Sequence, residues 1–261
     1  MKRQFIVLLF SGAAFVSGCQ VDPSTDPQPD NAKKFVSKIT HTEDGVNTVY
    51  TLTYDAQNRI TGYKDQDNIE AFNLSYDTKG NLSKIESKED ESKSIFEITY
   101  NAAGEPENGI YKLYDDDQLT ATFQLTYAVS DGRVNEIVMK DPAGQNVYGK
   151  FILSYNNGNL TKVETSTLGQ ANISTTYTYG TKKNFFAGSK IKYVVDPGFS
   201  VLFYSANEIL TEKIVWGQFI TDVTNQYTYD ADGYPTNGTI KTKSSFSDDE
   251  GTIALKIEYR Q

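Results

Sequence analysis

The stretch that decides the fold is residues 76–85, YDTKGNLSKI. A tyrosine closes an apolar run, Asp77 follows it, and Gly80 stands three residues after the aspartate. Aspartate accepts backbone N–H groups at the first position of a turn, and glycine tolerates the positive φ that ends one. Leu82 and Ile85 then begin a second apolar pattern. The stretch therefore predicts two β-strands joined by a turn, with Asp77 as a turn residue rather than an acid or a metal ligand.

Variants of this stretch recur along the whole chain. A tyrosine closes an alternating run at Tyr54, Tyr76, Tyr100, Tyr127, Tyr155, Tyr179, Tyr204, Tyr229 and Tyr259. Their mean spacing is about 26 residues, which lies within the range of repeat architectures. Within each run apolar and polar residues alternate, as in the sequence FNLSY of residues 72–76, so one face of each strand is apolar. This alternation favours an antiparallel sheet with one solvated face.

Each tyrosine is followed by turn residues and then by a more polar strand, so each repeat predicts a β-hairpin. Residues 35–261 are therefore expected to form one all-β domain. We predict an antiparallel up-and-down meander of roughly 15–18 strands, strongly curved or barrel-like. The second strand of a repeat places apolar residues three apart, as at Leu82 and Ile85. A β-bulge directly after the turn would bring both to one face.

The rhythm weakens over residues 182–203, KKNFFAGSKIKYVVDPGFSVLF. This segment is rich in phenylalanine and valine and contains a DPG turn. Two interpretations stay open, an irregular plug for the open end of the sheet or a short helix. We favour the plug, because an exposed segment this apolar would be a sticky patch.

The chain before residue 35 reads as an export and anchoring segment. A basic start and the apolar residues 5–16 precede small residues, which is the layout of a signal peptide over residues 1–18. The stretch VSGC, residues 16–19, resembles a bacterial lipobox, and this implies that Cys19 is acylated with fatty acids such as palmitate. An ordinary signal peptide with an incidental cysteine is the alternative. Residues 19–34 would be the lipidated cysteine and a flexible linker. The residue after the cysteine is Gln20 and not the Asp that retains many lipoproteins in the inner membrane, and this resembles outer-membrane sorting.

Two resemblances follow from these motifs. The unit Tyr76, Asp77, Gly80, Leu82 and Ile85 resembles the tyrosine–aspartate repeat of RHS-type proteins. The lipobox, the degenerate repeats, the segment KKNFFAG and the closing YTYDADGYP resemble a family of uncharacterised lipoproteins of Gram-negative gut commensals. This resemblance covers essentially all of residues 35–261 and implies a porin-like β-meander. It implies no established reaction and supplies no catalytic residue.

Composition argues against several classes of function. A net charge of −9 disfavours nucleic acid and anionic lipid surfaces as partners. His41 and Cys19 are the chain's one histidine and one cysteine, which is little material for a nucleophile with its base or for a metal site. Acidic stretches such as DQDN and DADG lack the residue order of a calcium loop and are predicted to be solvated turns. A membrane-spanning barrel is disfavoured because the second strands are short and mixed on both faces. We expect no enzyme, no cofactor and no metal.

The expected function is a non-enzymatic binding or structural module, anchored by lipid in the outer membrane, on a face that the sequence leaves open. Its candidate partners are a glycan or another envelope protein. The alternative is a surface glycan-binding accessory lipoprotein, with a carbohydrate-active enzyme as a remote third. The candidate ligand-binding residues are aromatic and lie in or near the irregular segment: Trp216, Phe219, Tyr193 and Tyr204. Against them, a Tyr/Phe stripe at period two is more often core than a ligand platform.

Overall fold

The computed structural model describes residues 33–196, 198–246 and 250–260. The predicted signal peptide, Cys19 and most of the predicted linker lie outside the described residues. Within the described part, no helix is long and apolar enough to cross a membrane.

Sixteen antiparallel strands in chain order form one closed barrel, in which every strand pairs with its neighbours in sequence and β1 pairs with β16. The strands are β1 (Phe35–Glu43), β2 (Val46–Tyr54), β3 (Ile60–Asp65), β4 (Glu70–Tyr76), β5 (Leu82–Glu89), β6 (Ser92–Tyr100), β7 (Pro106–Asp115), β8 (Gln118–Ser130), β9 (Arg133–Lys140), β10 (Val147–Asn156), β11 (Asn159–Thr167), β12 (Ile173–Lys183), β13 (Asn207–Trp216), β14 (Phe219–Tyr229), β15 (Pro235–Ser244) and β16 (Glu250–Arg260). The predicted single-domain, all-β meander is confirmed, and it is closed.

The meander gives the barrel two distinct ends. The turns that follow even-numbered strands begin near the repeat tyrosines and form one end, which we call the tyrosine rim. The turns that follow odd-numbered strands form the opposite end, which we call the far rim. The described chain starts at the tyrosine rim, where Lys34 forms ion pairs with Asp230 at 2.7 Å and Asp232 at 2.6 Å. Whatever precedes residue 33 therefore joins the barrel at that rim.

Asp77 organises a turn at the tyrosine rim, as predicted. Its Oδ1 accepts the backbone N–H groups of Lys79 at 2.9 Å and Asn81 at 2.8 Å. The Asn81 amide donates to Oδ2 at 2.9 Å, and together with these backbone bonds it holds the pKa of Asp77 below its ordinary value. Gly80 takes the positive φ of 87°. Asp77 is thus a turn residue whose acceptor positions are used locally.

Two turns at the tyrosine rim, between β8 and β9 and between β10 and β11, are shorter than the loops of four or five residues expected after each repeat tyrosine. Residues 131–132 and 157–158 are two-residue hairpin loops in which Asp131, Gly132, Asn157 and Gly158 all have positive φ. Two successive positive φ values are the signature of a type I′ turn, whose twist matches that of the flanking strands. The DG and NG pairs explain the difference, since these dipeptides favour this loop.

The predicted β-bulge is present after the tyrosine turns. In the β4–β5 pair Tyr76 lies opposite Leu82, but Ser75 lies opposite Lys84, so Ser83 is the extra residue. The bulge turns both Leu82 and Ile85 toward the interior, where they are buried. The spacing of three in the sequence is therefore a signature of the bulge.

The tyrosine hydroxyls tie the strands together where the ladder ends. The β3–β4 ladder stops at Gly62 opposite Asn73, before the tyrosine rim. Beyond that point the Tyr76 hydroxyl donates to the carbonyl of Ile60 at 2.8 Å. The same bond joins five of the other seven strand pairs whose turn lies at the far rim, at Tyr54–Val36, Tyr100–Leu82, Tyr155–Val134, Tyr179–Leu160 and Tyr259–Pro235. The repeat tyrosine therefore holds adjacent hairpins together where no turn connects them.

The segment 184–206 lies inside the barrel, and we call it the plug; Pro197 within it is outside the described residues. It contains a 3₁₀ turn, Ala187–Ser189, and a helix α1, Phe199–Tyr204. Phe199 stacks on Phe72 of β4, and Tyr204 packs against Tyr155 of β10 across the interior. The segment is thus a plug that includes a short helix. The prediction that Tyr204 closes a strand is wrong, because this tyrosine belongs to α1, where burial of the aromatic residues sets the conformation.

We expect Tyr76→Phe and Tyr100→Phe each to lower the free energy of unfolding by about 1 kcal/mol, because each removes one hydrogen bond from the tyrosine hydroxyl to a backbone carbonyl of the neighbouring strand. Tyr114→Phe is the matched control, since its ring carries Lys93 but its hydroxyl bonds to no described residue. Urea unfolding monitored by circular dichroism measures the difference. Equal stability of Tyr76→Phe and the wild type would contradict a structural role for the hydroxyl.

Glu212 of β13 is a buried carboxyl group that faces the interior. It is fully buried, and neither carboxylate oxygen has a hydrogen-bond partner among the described residues. Burial raises the pKa of Glu212 well above its ordinary value. A raised pKa in the folded state means that the protein binds this proton more tightly when folded. Stability from this group is therefore full below the unfolded pKa and is lost as the pH rises toward the folded pKa.

Glu212→Gln should accordingly raise the free energy of unfolding at pH 8 by about 1–3 kcal/mol. At that pH the buried carboxyl group costs free energy whether it is charged or holds a proton that the unfolded chain would release, and the neutral amide of glutamine avoids both costs. The gain should shrink toward pH 4. Thermal melts across this pH range test it, with Glu86→Gln on the outer wall as control. A gain that is the same at both pH values would contradict the interpretation.

Candidate functional site

A cavity of about 400 Å³ lies inside the barrel between the plug and the far rim, and we call it the chamber. The plug forms its floor through Phe186, Val195, Phe199 and Phe203. Its wall is formed by residues of β1 to β10, mostly in the halves of these strands near the far rim. A sixteen-stranded barrel is wide enough to leave an open lumen, and here the plug blocks it on the tyrosine side.

A band of aromatic rings lines the chamber wall. On β1 to β4, His41 lies 4.8 Å from Tyr50, Tyr50 stacks parallel on Tyr63 at 4.9 Å, and Tyr63 lies 5.8 Å from Phe72, all between ring centroids. The floor residue Phe199 continues the band at 4.4 Å from Phe72. Contacts at these distances fix the rings against each other. The chamber therefore has a rigid apolar wall.

A second set of rings lies on β6, β7 and β8. Phe96 of β6 stacks on Tyr111 of β7 at 4.1 Å, and Tyr111 lies 6.1 Å from Phe123 of β8. Burial raises the pKa of Tyr111, so its hydroxyl is a neutral donor at physiological pH. Both sets of rings present apolar surface with hydroxyl groups near the mouth, which suits a ligand with an apolar body.

Polar groups gather where the chamber meets the far rim. Glu70 of β4 and Glu89 of β5 lie directly opposite each other in the sheet and both line the chamber, together with the exposed Lys88. Burial, followed by the neighbouring Glu70 carboxylate, raises the pKa of Tyr50. Burial, and then the neighbouring carboxylates, raise the pKa values of Glu70 and Glu89. The mouth is thus polar and acidic, whereas the depth is mostly apolar, with Asp196 of the plug as its buried acidic residue.

His41 of β1 faces the chamber. Burial lowers the pKa of His41 to about 4. The ring is therefore neutral at physiological pH and packs as an aromatic side chain against Tyr50. It adds to the apolar wall rather than to the charge of the mouth.

The floor of the chamber is held by specific hydrogen bonds. Tyr127, whose repeat counterparts bond to strand carbonyls, instead donates to the carbonyl of Val195 in the plug at 2.9 Å. Asp196 accepts the backbone N–H groups of Gly198 at 3.0 Å, Phe199 at 2.7 Å and Ser200 at 3.0 Å. These bonds organise the start of α1, so the floor is a defined structure.

The four predicted aromatic residues fall into two groups, one at the far rim and one in the plug, and none of them lines the chamber. Trp216 and Phe219 flank the β13–β14 turn at the far rim, with ring centroids 6.2 Å apart. Phe246 joins them at 5.1 Å from Phe219, and Trp216 is 47% exposed. This pair forms an exposed aromatic cluster. Whether it binds a ligand stays a prediction.

The other two predicted residues belong to the plug. Tyr193 is buried and lies 6.5 Å from Tyr100, beside a second cavity of about 480 Å³ at the tyrosine rim. Tyr204 is buried against Tyr155 at 5.3 Å. The sequence placed all four near one irregular segment, but the plug folds inward while Trp216 stays at the end of a strand. The structure therefore does not bring the four together.

Sequence reasoning missed the chamber residues, which are members of the repeat stripe. Tyr50, Tyr63, Phe72, Phe96 and Tyr111 read as core because they alternate with polar residues. Their signal is their concentration, since most of the inward aromatic residues that the strands contribute lie on β1 to β8. In the described part of the chain, no three His, Cys, Asp or Glu side chains lie close enough to hold a metal ion.

Comparisons with known proteins identify the fold. No family model matches the chain, and no curated protein matches it. A porin-like protein from Bacteroides uniformis has a TM-score of 0.50 and 15% sequence identity, over 86% of this chain and 96% of that one. A porin-like protein from Bacteroides vulgatus also has a TM-score of 0.50 and 15% identity, over 87% and 99%.

A third solved structure, of TcdB2–TccC3–TEV, has a TM-score of 0.29 and 15% identity over 79% of this chain and 10% of that one. The two porin-like structures share the fold with this chain. They confirm the porin-like β-meander that the sequence resemblance implied, and at this identity they show the fold alone.

Proposed function

We propose that the protein is a non-enzymatic binding module, held at the outer membrane by lipid on Cys19, which takes an apolar ligand into the chamber. The observation that carries the proposal is the aromatic chamber closed on one side by the plug. Its volume of about 400 Å³ is typical of pockets for small ligands. Few polar groups at the mouth and an apolar depth are also the usual composition of such pockets.

The outer wall supports a barrel that stands beside the membrane rather than in it. Many outward side chains of β6 to β10 are charged and form ion pairs, as between Lys112 and Glu97 at 2.8 Å and between Lys150 and Glu136 at 3.1 Å. Exposed apolar side chains such as Ile110 and Ile152 are interspersed among them. Charged groups in a lipid-facing row would be costly near the centre of a bilayer. A lipid anchor then supplies the attachment, since buried acyl chains contribute about 0.8 kcal/mol for each methylene.

The position of the tether supports an outward-facing chamber. Lys34 is fixed at the tyrosine rim through Asp230 and Asp232. The chamber opens toward the opposite rim. An anchor that precedes residue 33 would therefore attach the barrel by its plugged end and leave the chamber mouth facing away from the attachment point.

Ligand binding can be measured with the neutral apolar dye N-phenyl-1-naphthylamine, whose fluorescence rises in apolar surroundings. We expect saturable binding to the wild type. Ser94→Phe, which adds a ring to the chamber wall, should weaken binding at least about tenfold by filling the space. Ser75→Phe places the same ring on the exposed outer face and should leave the affinity unchanged.

Equal dye affinity in Ser94→Phe and Ser75→Phe would refute binding in the chamber.

The glycan-binding alternative is favoured by the exposed cluster of Trp216, Phe219 and Phe246. Glycan binding that Trp216→Ala abolishes and Ser94→Phe leaves intact would support that alternative instead.

The anchor is tested by metabolic labelling with a radioactive or clickable palmitate analogue. We expect the wild type to be labelled and to fractionate with the outer membrane, because acyl chains hold it there. Cys19→Ala should lose both the label and the membrane fraction. An unlabelled wild type would refute lipidation, and a labelled Cys19→Ala variant would place the lipid elsewhere.

A further inference from the structure

We infer that the ligand of the chamber is cationic at one end, with an apolar body among the aromatic rings and a positive group between Glu70 and Glu89 at the mouth. This inference rests on the proposed function, because it names the chemical class that the chamber takes. Its first basis is the pair of carboxylates themselves.

Glu70 and Glu89 are cross-strand partners at the end of the β4–β5 ladder. Like charges directly opposite each other destabilise a sheet. In the described part of the chain, neither carboxylate forms an ion pair with a lysine or an arginine. Elsewhere on the barrel the sequence does pair its charges, as between Lys84 and Glu86 on the outer face of the same β5. The unpaired acids at the mouth therefore conflict with local stability, and such conflicts concentrate at functional sites.

Other charged groups near the mouth strengthen the negative field more than they weaken it. Asp90 lies next to Glu89 and acts electrostatically on both glutamates. Lys93, which lies opposite Lys88 in the β5–β6 ladder, is engaged by Asp117 at 2.9 Å. Lys88 is the cation that lines the mouth, and its side chain is exposed. Two half-buried carboxylates and Asp90 therefore face one solvated ammonium group.

The rings provide a second, independent attraction for a cation. The face of an aromatic ring carries partial negative charge and attracts a cation within about 6 Å of its centroid. Tyr50 and Tyr63 stack near Glu70, and all three residues line the chamber. An ammonium group between the carboxylates would therefore also lie beside aromatic faces. A ligand with the same apolar body and a negatively charged end would be repelled by both the carboxylates and the ring faces.

The test compares three ligands that have the same alkyl chain and different ends, namely octylamine, octanol and octanoate. Each competes with N-phenyl-1-naphthylamine for the full chain at low salt and neutral pH. We expect octylamine to bind at least about tenfold more tightly than octanoate, with octanol between them. The preference should fall at 1 M salt, because ions screen a mouth that is open to solvent.

The double variant Glu70→Gln, Glu89→Gln should weaken octylamine about tenfold and leave octanol unchanged. Since it removes a like-charge repulsion, it is expected to fold. The matched control is Glu86→Gln with Glu97→Gln, two carboxylates on the outer faces of β5 and β6, and it should keep the preference of the wild type.

Octanoate binding as tightly as octylamine, or a preference for octylamine that survives in the double variant, would overturn the inference. In either case, octanol and dye binding that Ser94→Phe abolishes would still support the proposed function. Failure of the dye and all three ligands to bind the wild type would overturn both.

Discussion

The structure depends on one recurring hydrogen bond, from a tyrosine hydroxyl to a backbone carbonyl of the neighbouring strand. At the tyrosine rim each turn joins an even strand to the next odd strand, so every other strand pair has no covalent link there. The ladders of those pairs stop short of the rim, as between Gly62 and Asn73. The bond from Tyr76 to Ile60 closes the gap and buries a ring at the same time. One residue type thus supplies both packing and cohesion.

Tyrosine hydroxyl bonds also hold the plug and the residues beside it. Tyr127 bonds to Val195 rather than to a strand, and Tyr229 bonds to the Glu208 side chain at 3.2 Å. Both departures lie in the part of the barrel where the plug enters or is held. The repeat therefore gives up two of its strand-to-strand bonds to accommodate an inserted segment. That insertion divides the lumen into a filled tyrosine side and an aromatic chamber on the far side.

The hairpins, the role of Asp77 and the β-bulge could be predicted from sequence, because each depends on residues less than ten positions apart. Closure could not, since it depends on β1 pairing with β16 across the whole chain. The chamber residues were equally hidden. Phe72 and Leu74 have the same alternation in the sequence, yet only Phe72 borders empty space, which is decided by where the plug lies. Trp216 and Tyr204 were grouped by proximity in sequence, and the inward path of the plug separates them.

Neighbour-only pairing also sets how this architecture can change over evolution. Since every strand contacts just the strands before and after it, a duplicated hairpin can be inserted without altering the register of the others. Strands lie about 4.8 Å apart, so one added hairpin lengthens the circumference by roughly 10 Å. The width of the lumen therefore changes in fixed steps, each of which corresponds to one added or lost hairpin. Descendants of one ancestral hairpin array could be fitted to ligands of different girth simply by counting repeats.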